Sequence, residues 1–149
     1  MHRRLIFALA LTLAAICGCS GSLEPVSTAA AASSTSPATS DAIFARAFKD
    51  RATHLQVQGH GTVIKLLSDD NEGSRHQRFI VRLNSGQTLL IAHNIDLAPR
   101  IAQLREGDVV SFNGEYEWNS KGGTVHWTHH DPAARHPAGW VKHGGRTFQ

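Results

Sequence analysis

HQRFIVRLNSGQTLLIAHNIDLAPRI, running from His76 to Ile101, is the stretch that decides the fold. Phe79, Val81 and Leu83 alternate with Arg78, Ile80 and Arg82, a period of two that marks a strand with one face turned inward. Asn84-Ser85-Gly86-Gln87 is turn chemistry, and Thr88 to Ile95 resumes an apolar strand, so the two runs form a hairpin. The pattern then changes. A short helix is expected from about Leu97 to Arg105, with Asp96 as N-cap, Pro99 in the first turn where its missing N–H does no harm, and Gly107 as the stop.

Working toward the N-terminus, the period of two begins at Val57. Val63, Ile64, Leu66 and Leu67 continue a strand in which Gly59 and Gly61 permit a sharp bend. Asp69 to Gly73 separates this strand from the hairpin as a solvated turn, and it lacks the ligand spacing of a calcium loop. Toward the C-terminus, Val110, Phe112, Tyr116 and Trp118 share one face of a fourth strand, opposite Ser111, Asn113, Glu115 and Glu117. After a turn at Asn119 to Gly123, Val125 and Trp127 are assigned to the inward face of a fifth. The tail from Pro132 holds Trp140 and Phe148, large enough to close one end of a barrel.

Three strands, a helix and two strands, with a glycine bend in the first, is the element order of a small OB-type five-stranded barrel. The expected fold is therefore mainly β, with one short helix between strands 3 and 4. The alternative is an open four-stranded sheet with one helix. A short N-terminal helix is expected from the cap candidates Ser40 and Asp41, with Ile43, Phe44, Ala47 and Phe48 on one face. The single domain is placed at residues 41–149, with its core at 57–149; about 90 residues suffice for such a core without disulfides.

What precedes the domain reads as an address. Arg3 and Arg4 open a charged segment, and Leu5 to Ile16 is an apolar run interrupted only by Thr12, so residues 1–18 are expected to be a signal peptide. The run is too short for a permanent transmembrane helix, which needs roughly twenty residues. Ile16-Cys17-Gly18-Cys19 resembles the lipobox of bacterial lipoproteins, which makes Cys19 the expected lipidation site. Ordinary cleavage near Ala29 to Ala32, giving a soluble secreted protein, is the alternative. Residues 19–40, rich in Ser, Thr, Ala, Gly and Pro, form an expected flexible tether spanning roughly 25 Å. The expected location is the cell envelope, lipid-anchored at the outer membrane and facing the periplasm, with the membrane as partner through Cys19.

Cys17 and Cys19 are the only cysteines. Processing would remove the first and acylate the second, so disulfides, thiolate nucleophiles and cysteine-ligated zinc are excluded from the mature domain. The formal charge of +3 includes Arg3 and Arg4; without them 13 basic side chains face 12 acidic ones. That balance argues against nucleic acid, whose binders carry a strongly basic stripe.

The segments GTVIKLLSDD, HQRFIV, GQTLLIAHNIDLAPRI, GEYEWN, HWTHHDP and GWVKHGGRTFQ together resemble an uncharacterised family of small exported bacterial proteins, domain of unknown function 3465. The resemblance covers Val57 to Gln149. It implies no activity, substrate or catalytic residue, so function must come from the side chains.

The densest polar constellation is His126-Trp127-Thr128-His129-His130-Asp131, and it invites a metal reading. His126 and His130, four apart on an extended strand, lie roughly 13 Å from each other, too far for one ion. His129 and Asp131, two apart, share a face at about 6.5 Å and are the better pair. His93, His76 or His136 would supply a third ligand to a divalent metal such as zinc, and His54 stands outside the cluster. In the structural alternative Asp131 caps the turn at Pro132, the histidines bond backbone carbonyls and Thr128 faces solvent. Arg78 and Arg82 are candidate anchors for an anionic group. Trp118 and Trp140 are candidate stacking surfaces, while Trp127 and Tyr116 are assigned to the core.

Neither a Gly-x-Ser-x-Gly elbow, nor a phosphate loop, nor His-Glu-x-x-His occurs. The expected function is a non-enzymatic OB-type module binding a small or extended ligand. The alternative is a histidine-based, metal-assisted hydrolase of the phosphodiester type, with His129, His130 and Asp131 as ligands or general base.

Overall fold

The computed structural model describes residues 37–149. The leader, Cys19 and the tether as far as residue 36 lie outside the described residues. The elements are α1 (Pro37–Lys49), β1 (Leu55–Leu66), β2 (His76–Arg82), β3 (Thr88–Asn94), β4 (Val109–Glu117), β5 (Thr124–His126), β6 (Trp140–His143) and β7 (Arg146–Phe148).

β1 pairs antiparallel with β2 through Thr62 to Leu66 and with β4 through Leu55 to Thr62, and an irregularity between Val63 and Lys65 lets one strand serve both neighbours. β2 pairs with β3, β3 runs parallel to β5, and β5 pairs with β4. The circuit β1-β2-β3-β5-β4-β1 is thus a closed five-stranded barrel, the OB-type arrangement expected from the element order. The hairpin β6–β7 adds to the other half of β4, where Ser111 to Asn113 pair with Trp140 to Lys142.

The alternation fills the barrel. Phe79, Val81 and Leu83, then Leu89 and Ile91, then Val110, Phe112 and Tyr116, are all buried together with Val125, Val141 and Phe148. Gly59 and Gly61 are glycines because the strand is approached closely there. A Cβ at Gly59 would lie 2.6 Å from Phe44 Cε2, and one at Gly61 would lie 2.8 Å from the Arg82 carbonyl oxygen.

α1 covers one end of the barrel, with Phe44 fully buried against Phe112 and Tyr116 at ring separations of 5.9 and 6.2 Å. It begins three residues earlier than the cap candidate Ser40, at Pro37, so the end of the expected tether is helical. Proline is pre-shaped for a first helical position. Asp41 is not a cap: its Oδ2 accepts the Ser85 N–H at 2.6 Å and ties the helix to the β2–β3 turn.

The helix expected between β3 and β4 does not form; Ile95 to Asp108 is a series of turns. Ala98, Ile101 and Leu104 are its buried residues, and their spacing of three imitates a helical face. The backbone finds partners elsewhere. The buried Gln77 side chain accepts from the Ile101 N–H at 2.9 Å and donates to the Ile101 carbonyl at 3.1 Å, doing the work of a ladder from a neighbouring strand. A segment whose polar groups are satisfied in this way has no need of intrahelical bonds.

Candidate functional site

The outward faces of β2, β3 and β5 carry His76 and Arg78, Leu90 and Ala92, and Thr124 and His126 respectively. Two adjoining clefts share His76 and His126 as a common wall. The larger, about 520 Å³, lies beyond the end of β5 and is lined by Ser74, Asn94, Leu97, Trp127, His129 and Arg135 among others. The second, about 400 Å³, runs over Leu90 and Ala92 between Arg78 and Glu117. A third, about 310 Å³, shares Leu90 and continues to Leu67, Ile80, Asn119 and Lys121. The floor is largely apolar and the rim polar, and the β1–β2 and β4–β5 loops flank it.

Trp127 is in this surface, not in the core. Val125 is fully buried as expected, but β5 ends at His126, and Trp127 has φ 51°, which breaks the alternation and turns the next side chains over. Thr128 and His129 take the inward positions instead and are buried. The indole stacks on His136, ring centroids 3.7 Å apart, with His129 on another side at 5.4 Å. Gly139 holds the loop against this bend: its N–H donates to the His129 carbonyl at 2.9 Å, and a Cβ there would collide with the Trp127 carbonyl oxygen at 1.8 Å.

The histidines of the motif have different tasks. His93 is fully buried; its Nε2–H donates to the Pro99 carbonyl at 3.2 Å, which leaves Nδ1 to accept the Thr128 hydroxyl at 2.9 Å. Burial lowers its pKa to about 4, partly opposed by these hydrogen bonds, so near neutral pH it is an uncharged ring with both nitrogens engaged. His129 donates from Nδ1 to the His130 carbonyl at 2.8 Å, which leaves a lone pair on Nε2. His130 is exposed. His126 is half-buried, with Nε2 shielded from solvent and without a hydrogen-bond partner, 3.6 Å from Glu115 Oε1. Burial lowers its pKa against the pull of Glu115 and Glu117.

Asp131 caps the turn. Its oxygens accept the N–H groups of Ala133, Arg135 and His136 at 2.9, 2.7 and 3.1 Å. The Ala133 bond first, then the other two, hold the carboxyl below its ordinary pKa against the effect of burial. Among the described residues, the ligand atoms of His93, His126, His129, His130 and Asp131 do not come together as a group of three around one point.

Of the candidate ligand-binding side chains, Arg78 is in the groove, held by the Ser68 carbonyl at 3.0 Å and Asp70 at 3.7 Å. Arg82 is exposed at the far end of β2. Trp118 packs against Phe48 at 6.3 Å under the Arg51 guanidinium, and Trp140 lies beneath the Lys142 ammonium at 4.4 Å; neither lines the groove. Strand alternation placed Trp127 inside and so missed it as a groove residue; the polar residues crowding around it were the available signal.

No curated protein matches the chain. The family model for a protein of unknown function, DUF3465, matches residues 26–149, which covers the helix and the whole barrel. The chain belongs to that DUF3465 family.

Proposed function

We propose that this domain is a binding module of the cell envelope, held to the membrane through lipid on Cys19, and that its ligand is extended and oligosaccharide-like. The observation that carries the reading is the chain of three adjoining clefts along β2, β3 and β5, flanked by the β1–β2 and β4–β5 loops. That face is where OB-type barrels hold oligonucleotides and oligosaccharides. The analogy is one of fold, and the choice between the two ligands rests on charge. The clefts carry Arg78, Lys121 and Arg135 but also Asp70, Glu117 and Asp131, so they lack the basic stripe a polyphosphate needs. An apolar floor with an indole at one end and His76, Arg78, His126 and Lys121 along it suits sugar rings, whose faces are apolar and whose edges donate and accept.

The hydrolase reading has less support. Asp131 spends its oxygens on backbone N–H groups, and His93 spends both nitrogens within the fold.

The test is calorimetric titration of the full chain with peptidoglycan-derived oligosaccharides, with single-stranded oligothymidine as the contrast. Trp127→Ala should weaken sugar binding about tenfold, the effect of losing roughly 1.4 kcal/mol of stacking, and Trp140→Ala should leave it within about twofold. Binding that is stronger to oligothymidine, or equally sensitive to both tryptophans, would overturn the reading.

A further inference from the structure

We propose a second site, a zinc-class divalent cation site on the outer wall of the barrel, formed by His54, Glu115 and Glu117. Among the described residues these are the side chains whose ligand atoms all gather within 4.8 Å. His54 Nδ1 lies 3.0 Å from Glu115 Oε1 and 3.1 Å from Glu117 Oε1. A tetrahedral ion about 2.0–2.2 Å from each nitrogen and oxygen ligand keeps neighbouring ligand atoms about 3.3–3.6 Å apart. The two separations from His54 Nδ1 are a few tenths of an ångström shorter, so a small outward shift of the carboxylates would admit the ion.

The fold builds this spacing. Glu115 and Glu117 alternate onto the outward face of β4, and Tyr116 between them is buried. The register Leu55↔Tyr116 brings the residue just before β1 level with them. His54 has φ 54°, a conformation that non-glycine residues seldom adopt. Its backbone N–H also donates to Glu117 Oε1 at 3.1 Å, fixing that carboxylate. From the next strand His126 brings its shielded, unpartnered Nε2 to 3.6 Å from Glu115 Oε1.

Charge gives an independent argument. Among the described residues the ion-pair partners of Glu115 and Glu117 are histidines alone, with no lysine or arginine. An ion would take the place of the proton that His54 Nδ1 shares with Glu115 Oε1 at 3.0 Å, and would supply the positive charge that the two carboxylates otherwise lack. A mixed imidazole and carboxylate set favours zinc or copper over calcium and magnesium, which prefer all-oxygen shells. The His54 side chain is 81% exposed, so water has room to complete the coordination. Glu117 and His126 also line the central cleft, which sets an ion here at the groove's edge. The inference does not depend on what the groove binds.

The experiment uses the full chain with Cys17 and Cys19 both changed to serine, so that no thiol competes for the ion. Equilibrium dialysis against zinc at pH 7.5, and the visible absorption of cobalt as a coordination probe, should show one equivalent bound. His54→Gly removes the ring and suits the left-handed backbone there; it and Glu117→Gln should each weaken zinc binding at least tenfold. His129→Ala should leave binding within twofold. Substoichiometric binding by the parent chain would overturn the proposal. So would equal sensitivity to His129→Ala, which would place the ion in the cleft beyond β5.

Discussion

His93 is buried without a carboxylate beside it, which gives it a distinctive pH dependence. Burial lowers its pKa to about 4, whereas in the unfolded chain it titrates near 6.5. Between those values the unfolded chain takes up a proton that the folded one resists. Its contribution to stability is therefore complete above pH 6.5 and is withdrawn as the pH falls toward 4, amounting to about 3 kcal/mol. His54 acts in the opposite sense. The hydrogen bond to Glu115 and the charge of Glu117 raise its pKa, so its contribution is present at low pH and is lost as the pH rises through that raised value. Comparison with His93→Gln separates the two. In urea unfolding at pH 7.5 and 4.5, the parent should lose roughly 2–3 kcal/mol more than the variant on acidification. Equal losses would mean that the ring is hydrated. Nothing in the local sequence marks His93 for this behaviour, because its cause is burial under other segments of the chain, those that carry Pro99 and Thr128 among them.

α1 is part of the core. Phe44 is fully buried and fills the space that Gly59 leaves open. Phe44→Ala should cost about 3–5 kcal/mol, measured as a shift in the urea midpoint with an unchanged slope. A near-neutral result would mean that the helix does not dock. The strands were readable from sequence because β2 and β4 alternate without interruption and one face of each is buried. The segment after β3 was not, because Ala98, Ile101 and Leu104 recur every third residue while the Gln77 side chain replaces the helical ladder. No local pattern reports a partner contributed by another strand. The same limit applies to the candidate sites. The run from His126 to Asp131 stands out in the sequence by its polar density, yet the sign of φ at Trp127, which decides what faces inward, leaves no trace there. His54 was set apart from the cluster, and it is the β1–β4 register that brings it to Glu115 and Glu117.

For the molecule as a whole, the proposed attachment is through lipid on Cys19; no helix among the described residues is long and apolar enough to cross a membrane. Each buried acyl methylene contributes about 0.8 kcal/mol, enough for several chains to hold a domain stably. Cys19→Ser should shift the protein from the membrane fraction to the soluble fraction on cell fractionation; retention in the membrane would sink the anchor. The circuit of strands carries a further implication for how the molecule comes into being. Its last join unites Leu55–Thr62 with Val109–Tyr116, segments far apart along the chain, and contacts of that range form slowly because the intervening loop must first surrender its entropy. A nascent chain of this kind stays open until nearly all of it has emerged. For the export proposed here that delay would be an advantage, since the chain could be threaded across a membrane while still unfolded and become rigid only on the far side.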